Sequence, residues 1–170
     1  MSRDQKIVAA GALGGVAAMI VLLWLLFPLM PVPEGTESAG NRIAYALRWN
    51  ALAALPLIAM LAAIGNARAL SEAIDPTRGK ESAKMQIDAR VAGNTLEQFV
   101  LFCVATLALA SSATGNEVRI VGAAAITFVF LRIAFWIGYR IHPLYRAFGF
   151  ASGFYMILGM LAWSLWLSLR

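Results

Sequence analysis

The chain has 170 residues, of which 61% are hydrophobic and 14% are charged, with a formal net charge of +5. Because a soluble domain carries about 25% charged residues, this composition indicates an integral membrane protein. The basic residues do not form a cluster with interleaved aromatic residues, as a groove for single-stranded nucleic acid would need, so we expect no nucleic-acid partner. The single cysteine, Cys103, excludes an internal disulfide.

Five apolar segments follow one another along the chain, at residues 7–30, 43–64, 96–113, 118–139 and 147–169. Each approaches the roughly 20 residues that a helix needs to cross a bilayer core, the third only when its polar first turns are included. Backbone groups inside lipid must bond within their own segment, which favours helices. The sequence therefore predicts an all-α integral membrane protein with five spans.

The first apolar segment follows Arg3 and Lys6, as a signal peptide would. A signal peptide, however, has an apolar region of only about 7–15 residues, followed by a small-residue cleavage site. No such site occurs before Asn41, so we expect a retained membrane helix. This helix carries four small residues, which predict a face suited to close helix packing. They are Gly11, Gly14, Gly15 and Ala18.

The distribution of Lys and Arg predicts the orientation in the membrane, because cytoplasmic loops carry the excess of basic residues. If the N-terminus is cytoplasmic, nine basic residues lie on the cytoplasmic side, four lie on the opposite side, and Arg132 lies within a span. The nine are Arg3, Lys6, Arg68, Arg78, Lys80, Lys84, Arg90, Arg140 and Arg146. We expect a multi-pass protein, in the inner or plasma membrane if bacterial, whose C-terminus lies on the opposite side.

The second connection, residues 66–88, carries charges of both signs. Such runs are usually solvated surface, and we expect a loop here, with residues 67–74 extending the second helix beyond the bilayer.

Polar residues mark the start of the third apolar segment, where Arg90, Asn94 and Glu97 are spaced by four and three residues. On a helix, these offsets place the three side chains on one face. Ionisable residues at a membrane span are costly, and they indicate a functional site by default. A structural polar contact between helices explains the same pattern, and the spacing alone does not separate the two interpretations.

A second set near the fourth turn comprises Arg132, Gly138, Tyr139, Arg140 and Arg146. The depth of Arg132 favours a counter-ion for Glu97 on a neighbouring helix, although it could also extend toward an interface. His142 has no Cys, Asp or Glu at metal-ligand spacing, so we predict no metal site. The two sets together suit an anionic, polar small molecule beside an apolar compartment.

The run Arg90-Val-Ala-Gly-Asn94-Thr-Leu-Glu97 resembles the R-x-x-x-N-x-x-E signature of the MAPEG family, the membrane-associated proteins of eicosanoid and glutathione metabolism. The run Arg132-Ile-Ala-Phe-Trp-Ile-Gly138-Tyr139, followed by Arg146, resembles the family's R-x-x-x-x-x-G-Y segment and downstream arginine. The order and separation of the two runs also match, and the resemblance covers residues 43–169.

The resemblance implies a homotrimer of four-helix protomers with glutathione, a co-substrate, bound between subunits at the cytoplasmic face. Residues 43–170 would form that bundle, and residues 1–42 would form an additional N-terminal transmembrane helix and loop. By similarity, Tyr139 and Arg146 would be catalytic, with Arg146 stabilising the glutathione thiolate. The glutathione-binding set would comprise Arg90, Asn94, Glu97, Tyr139 and Arg132.

Three functions stay open at this stage. The first is a membrane-embedded glutathione-dependent transferase or peroxidase that acts on lipophilic electrophiles. The second is a non-catalytic protein of the same fold with an assembly or binding role, because Ala92, Gly93 and Phe135 depart from residues found in several glutathione-using members. The third is a small transporter with Glu97 and Arg132 as a buried relay, which no inverted repeat supports.

Overall fold

Six helices build the five spans that the sequence predicts. The computed structural model describes residues 1–169, and no strand occurs in that part of the chain. The helices are α1 (Arg3–Leu26), α2 (Ala39–Ala53), α3 (Leu55–Ala69), α4 (Ala83–Ser112), α5 (Arg119–Ile141) and α6 (Ala147–Ser168). Five helical stretches are long and apolar enough to cross a membrane, α2 and α3 together forming one of them. The predicted all-α membrane fold is confirmed.

The second span is interrupted between α2 and α3, because Pro56 lies in the first turn of α3. Proline lacks a backbone N–H, and its ring collides with the carbonyl four residues earlier, so it breaks or bends a helix. Backbone hydrogen bonds continue on both sides, from Ala54 N to Asn50 O (3.0 Å) and from Ile58 N to Ala54 O (3.1 Å). The span is therefore one bent helical rod.

Helix α4 begins well before the apolar segment used to predict it. The Ser82 side chain caps it by accepting a hydrogen bond from Met85 N at 3.3 Å, as serine does at helix N-termini. The predicted loop over residues 66–88 is therefore wrong at its C-terminal end, because α4 starts at Ala83. The extension over residues 67–74 is also shorter than predicted, with a separate 3-10 turn at Glu72–Ile74. Hydropathy detects only the part of a helix that lies in lipid.

Helices α4 and α5 form the centre of the bundle. Helix α4 contacts α2, α3, α5 and α6, and α1 packs on α6 and α5. Between the central helices, the rings of Phe102 and Phe128 stack with their centroids 4.6 Å apart. Lipid removes the hydrophobic drive between helices, so close packing and interhelical hydrogen bonds must hold them together.

The contact between α1 and α6 depends on small residues. A Cβ atom on Gly15 would lie 2.8 Å from the carbonyl carbon of Phe148, and one on Gly11 would lie 3.4 Å from the Ala147 Cβ. Gly14 has open space around it. The predicted small-residue face is therefore confirmed at Gly11 and Gly15, which seat α1 against the start of α6.

At the opposite end of the bundle, buried Arg42 ties the α1–α2 connection to the end of α4. It donates to the carbonyl oxygens of Ala110 (2.9 Å) and Ser111 (2.8 Å). It also donates to those of Thr36 (2.6 Å) and Glu37 (3.1 Å). A cation is favoured here because the last carbonyls of a helix carry partial negative charge.

Candidate functional site

A cavity of about 450 Å³ lies at the end of the bundle where α1, α4 and α6 begin and α5 ends. Its volume is in the range of small-molecule sites. One part of its wall is polar and the other is apolar, and the lining residues are Val8, Arg90, Asn94, Phe135, Tyr139, Leu144, Arg146, Ala147 and Phe150. A larger depression of about 720 Å³ lies beside Tyr45 and Arg48 at the other end, and no predicted site residue lines it.

Tyr139 and Arg146 form a pair on one side of the cavity. Tyr139 lies in the last turn of α5, and Arg146 ends the 3-10 turn that precedes α6. The Arg146 Nη1 atom lies 3.4 Å from the Tyr139 hydroxyl oxygen and donates to it, while the guanidinium carbon is 5.5 Å from the tyrosine ring centroid. The pair joins a permanent positive charge to a hydroxyl group at the mouth of the cavity.

The turn between α5 and α6 holds this pair in place. Leu144 N donates to His142 Nδ1 at 3.3 Å, and His142 thereby acts as a turn residue. Gly138 permits a close approach, because a Cβ atom there would lie 3.0 Å from the Tyr145 carbonyl oxygen. A larger residue in place of Gly138 would therefore crowd the backbone of the turn at Tyr145.

Arg132 is fully buried in α5, behind the cavity wall. It donates from Nη1 to Asn94 Oδ1 at 3.2 Å and from Nη2 to the carbonyl oxygen of Gly149. Its guanidinium carbon lies 4.7 Å from the Phe135 ring centroid. Cation–π contact and charge-assisted hydrogen bonds lower the cost of burying the charge. Within residues 1–169, no carboxylate lies at ion-pair distance from Arg132.

Asn94 links the two predicted partners, Arg132 and Glu97, which do not form a direct ion pair. The Asn94 Nδ2 atom lies 3.4 Å from Glu97 Oε2 and donates to it, while Asn94 Oδ1 accepts from Arg132. The expected ion pair between Arg132 and Glu97 is thus absent, and the Asn94 side chain hydrogen-bonds to both residues instead. Glu97 itself is exposed on the surface of the chain and does not line the cavity.

The structure therefore brings together four of the six predicted site residues. Arg90, Asn94, Tyr139 and Arg146 face the same cavity, Arg132 supports Asn94 from behind, and Glu97 lies outside. The spacing argument holds for Arg90 and Asn94, which are one helical turn apart. The ligand roles of all six residues stay predictions.

A second cluster fastens α4 to α5 beside the cavity, and although the sequence analysis singled out Arg140, it did not predict the contact of Arg140 with Asp88 and Trp136. Buried Asp88 accepts hydrogen bonds from Arg140 Nε (2.7 Å), Arg140 Nη2 (2.6 Å) and Trp136 Nε1 (2.7 Å). Trp136 and Arg140 are four residues apart on α5, so both reach the same carboxylate. The four-residue spacing of Trp136 and Arg140 could have indicated a shared partner. Asp88, however, lies in a stretch of mixed charge, and such stretches are usually solvated surface.

Three further residues in or beside the cavity wall were not predicted as site residues. Gln98 is buried and donates from Nε2 to the carbonyl oxygen of Phe150 at 3.2 Å. Phe135 lies edge-on to Tyr139, with ring centroids 5.9 Å apart. Val8 lines the cavity from α1. This contact could not be predicted from the sequence, because it depends on where α1 packs in the bundle.

Residues 46–166 match the model of the MAPEG family. The chain is also similar to Transmembrane protein 79 of Mus musculus, with 22% identity over 155 residues. That match covers 89% of this chain and 39% of the mouse protein, so the chain spans well under half of this relative. No solved structure matches the chain.

Proposed function

The chain belongs to the MAPEG family, and we propose that it is a membrane-embedded glutathione-dependent transferase or peroxidase acting on lipophilic electrophiles or hydroperoxides. One observation carries the proposal, namely the convergence of Arg90, Asn94, Tyr139 and Arg146 on a single cavity that also has an apolar wall. Such a site suits a ligand with an anionic part and a reaction partner that is soluble in lipid.

Arg90 and Asn94 would bind the charged backbone of glutathione. A guanidinium group binds a carboxylate through two parallel hydrogen bonds, and glutathione carries two carboxylates. The Asn94 amide is oriented by its contacts with Arg132 and Glu97. An amide held in this way keeps one N–H that it can donate to a ligand.

Tyr139 and Arg146 would stabilise the sulfur as a thiolate. The Tyr139 oxygen accepts from Arg146, so the hydroxyl hydrogen is available for donation into the cavity. A positive charge and a hydroxyl donor both favour the anion, and the thiolate is the nucleophilic form of a thiol. The thiol proton would leave to water, and fixed donors of this kind stabilise the transition state as well.

The bond changes in the transferase reaction are simple. The thiolate sulfur attacks the electrophilic carbon, a C–S bond forms, and the leaving group departs with the bonding electron pair. With a hydroperoxide, the thiolate sulfur attacks the terminal oxygen, an S–O bond forms as the O–O bond breaks, and the departing alkoxide takes a proton from water to give the alcohol. The resulting sulfenic acid reacts with a second glutathione to give the disulfide and water.

The proposal includes the assembly and topology of the protein. The site would lie at the cytoplasmic face of a homotrimer, with the N-terminus in the cytoplasm, and nine of the basic residues favour that orientation. A lipophilic substrate would reach the site from the bilayer, and binding both partners side by side would supply much of the acceleration.

Titration calorimetry with glutathione tests the proposal. The detergent-solubilised oligomer should bind glutathione, and it should conjugate glutathione to 1-chloro-2,4-dinitrobenzene with release of chloride. An absence of glutathione binding by an intact, monodisperse oligomer contradicts the proposal. Binding without turnover of the halide or of a lipid hydroperoxide supports the alternative described next.

The second candidate is a non-catalytic member of the family in which the polar residues serve assembly. Glu97 favours it, because this carboxylate is exposed on a membrane-spanning helix and, within residues 1–169 of the single chain, hydrogen-bonds only to Asn94. A carboxylate at such a position needs a polar partner, and a second subunit is one source of it.

A further inference from the structure

One residue of the cavity's apolar wall, Val8, lies outside the family match. The match begins at residue 46, whereas Val8 belongs to α1 and lines the cavity with Leu144, Ala147 and Phe150. Arg90, Asn94 and Arg146 line the same cavity on its polar part. The additional helix therefore adds an apolar surface to a site whose charged groups come from the four-helix bundle.

Helix α1 is held firmly in this position. Gly15 lies against the backbone of Phe148, and Gly11 lies against Ala147, which is itself a lining residue. Val8 precedes Gly11 by three residues, so it projects from the same helix face. At its start, α1 has a reciprocal cap, with Ser2 accepting from Gln5 N at 3.2 Å and Gln5 accepting from Ser2 N at 2.8 Å.

We propose that α1 closes the apolar part of the cavity and that Val8 sets the length of the apolar group that the site accepts. The inference rests on the proposed function, because it assigns the lipophilic substrate of that same site to the space between α1 and the start of α6. Valine is branched at Cβ and has few rotamers, so it forms a fixed boundary rather than a yielding one. A larger side chain at this position should shorten the space, and a smaller one should lengthen it.

The test uses two thioethers of glutathione, S-methylglutathione and S-octylglutathione, which share the peptide and differ only in the apolar group. Affinities are measured by calorimetry on the full-length protein in detergent. For Val8→Trp we expect a loss of at least about tenfold in affinity for the octyl thioether, as small changes in an apolar pocket produce. Affinity for the methyl thioether should stay within about twofold. Val8→Ala should bind the octyl thioether as tightly as the wild type or more tightly.

A matched control is Leu13→Trp, because Leu13 is 72% exposed on the same helix and lies outside the cavity. Its affinities for both thioethers should equal those of the wild type. A uniform loss of both affinities in Val8→Trp, or no loss at all, overturns the inference while leaving the proposed function intact. A wild-type protein that binds neither glutathione nor its thioethers overturns both.

A labelling experiment keeps the inference testable if Val8→Trp does not fold. In a Cys103→Ser background, Val8→Cys introduces a thiol at a position that is 39% exposed. S-octylglutathione should slow the reaction of this thiol with a small methanethiosulfonate at least about tenfold, whereas S-methylglutathione should not. Equal protection by both thioethers, or by neither, contradicts the assignment of Val8.

Discussion

Asp88 on α4 and Arg140 on α5 are joined by two parallel hydrogen bonds of 2.7 and 2.6 Å at the cavity end of the bundle. Trp136 adds a third bond to the same carboxylate, and its ring lies 4.5 Å from the Arg140 guanidinium carbon. The two helices that carry Arg90 and Tyr139 are thereby fixed relative to each other. The shape of the cavity depends on this contact, although none of its three residues lines the cavity.

Asp88→Asn should destabilise the protein by about 2 kcal/mol, because it removes a charged acceptor of three hydrogen bonds from a buried site. Thermal unfolding in detergent measures the effect. Glu72→Gln is the matched control, since it breaks the exposed Lys80–Glu72 ion pair and should change stability by less than about 0.5 kcal/mol. Equal effects of the two substitutions would show that the Asp88 contact is not a structural one.

Gly149→Ala should destabilise the contact between α5 and α6. The new Cβ atom would lie 2.7 Å from the Phe135 Cβ and 2.8 Å from its backbone nitrogen, and backbone cannot move aside as a side chain can. We expect a loss of about 1–3 kcal/mol, which is typical of overpacking. Gly159→Ala on the same helix has open space around it, so its midpoint of thermal unfolding should not fall.

Tyr139→Phe and Arg146→Ala should each lower kcat for conjugation of glutathione by about 10²-fold or more, because each removes a donor that the proposed mechanism assigns to the thiolate. The loss should grow as the pH falls, since less thiolate then forms without assistance. Tyr145→Phe is the control, because this exposed tyrosine lies in the same turn but not in the cavity. Unchanged kcat in Tyr139→Phe would remove the phenol from the mechanism.

Glu97→Gln separates the two candidate functions. If the carboxylate serves assembly alone, the variant should dissociate, which analytical ultracentrifugation in detergent detects. If Glu97 acts mainly at the glutathione site, the variant should keep the oligomeric state of the wild type and lose affinity for glutathione. Asn94→Ala is an informative companion, since it removes the residue that joins Glu97 to Arg132.

The five spans could be predicted because each one is a block of apolar residues, and a bilayer imposes that pattern directly. The ends of the helices were harder to predict from the sequence. The start of α4 at Ala83 depends on the Ser82 cap and on buried Asp88, and neither contributes to an apolar pattern. Charged residues near a membrane look solvated until the partner helix is placed beside them.

In the candidate site, too, the arrangement of residues on one helix could be predicted from the sequence, whereas contacts between helices could not. Arg90 and Asn94 share a face because of their spacing, and they do line one cavity. The contacts of Arg132 with Asn94 and Gly149 join three helices, so their geometry depends on how α4, α5 and α6 pack. For the same reason, Glu97 was expected beside Arg132 but is separated from it by an amide.

Within residues 1–169, the Arg42 side chain donates hydrogen bonds only to main-chain oxygens, four of them in two separate segments. Every amino acid offers the same carbonyl group, so these hydrogen bonds set no requirement for the side chains at Thr36, Glu37 and Ser111, whereas Ala110 is constrained by its burial in the core. Arg42 shares the task of holding this end of the bundle together with Arg119, which donates to the carbonyl oxygens of Met30 and Pro28, so the loop between α1 and α2 is held through its backbone and its sequence can change.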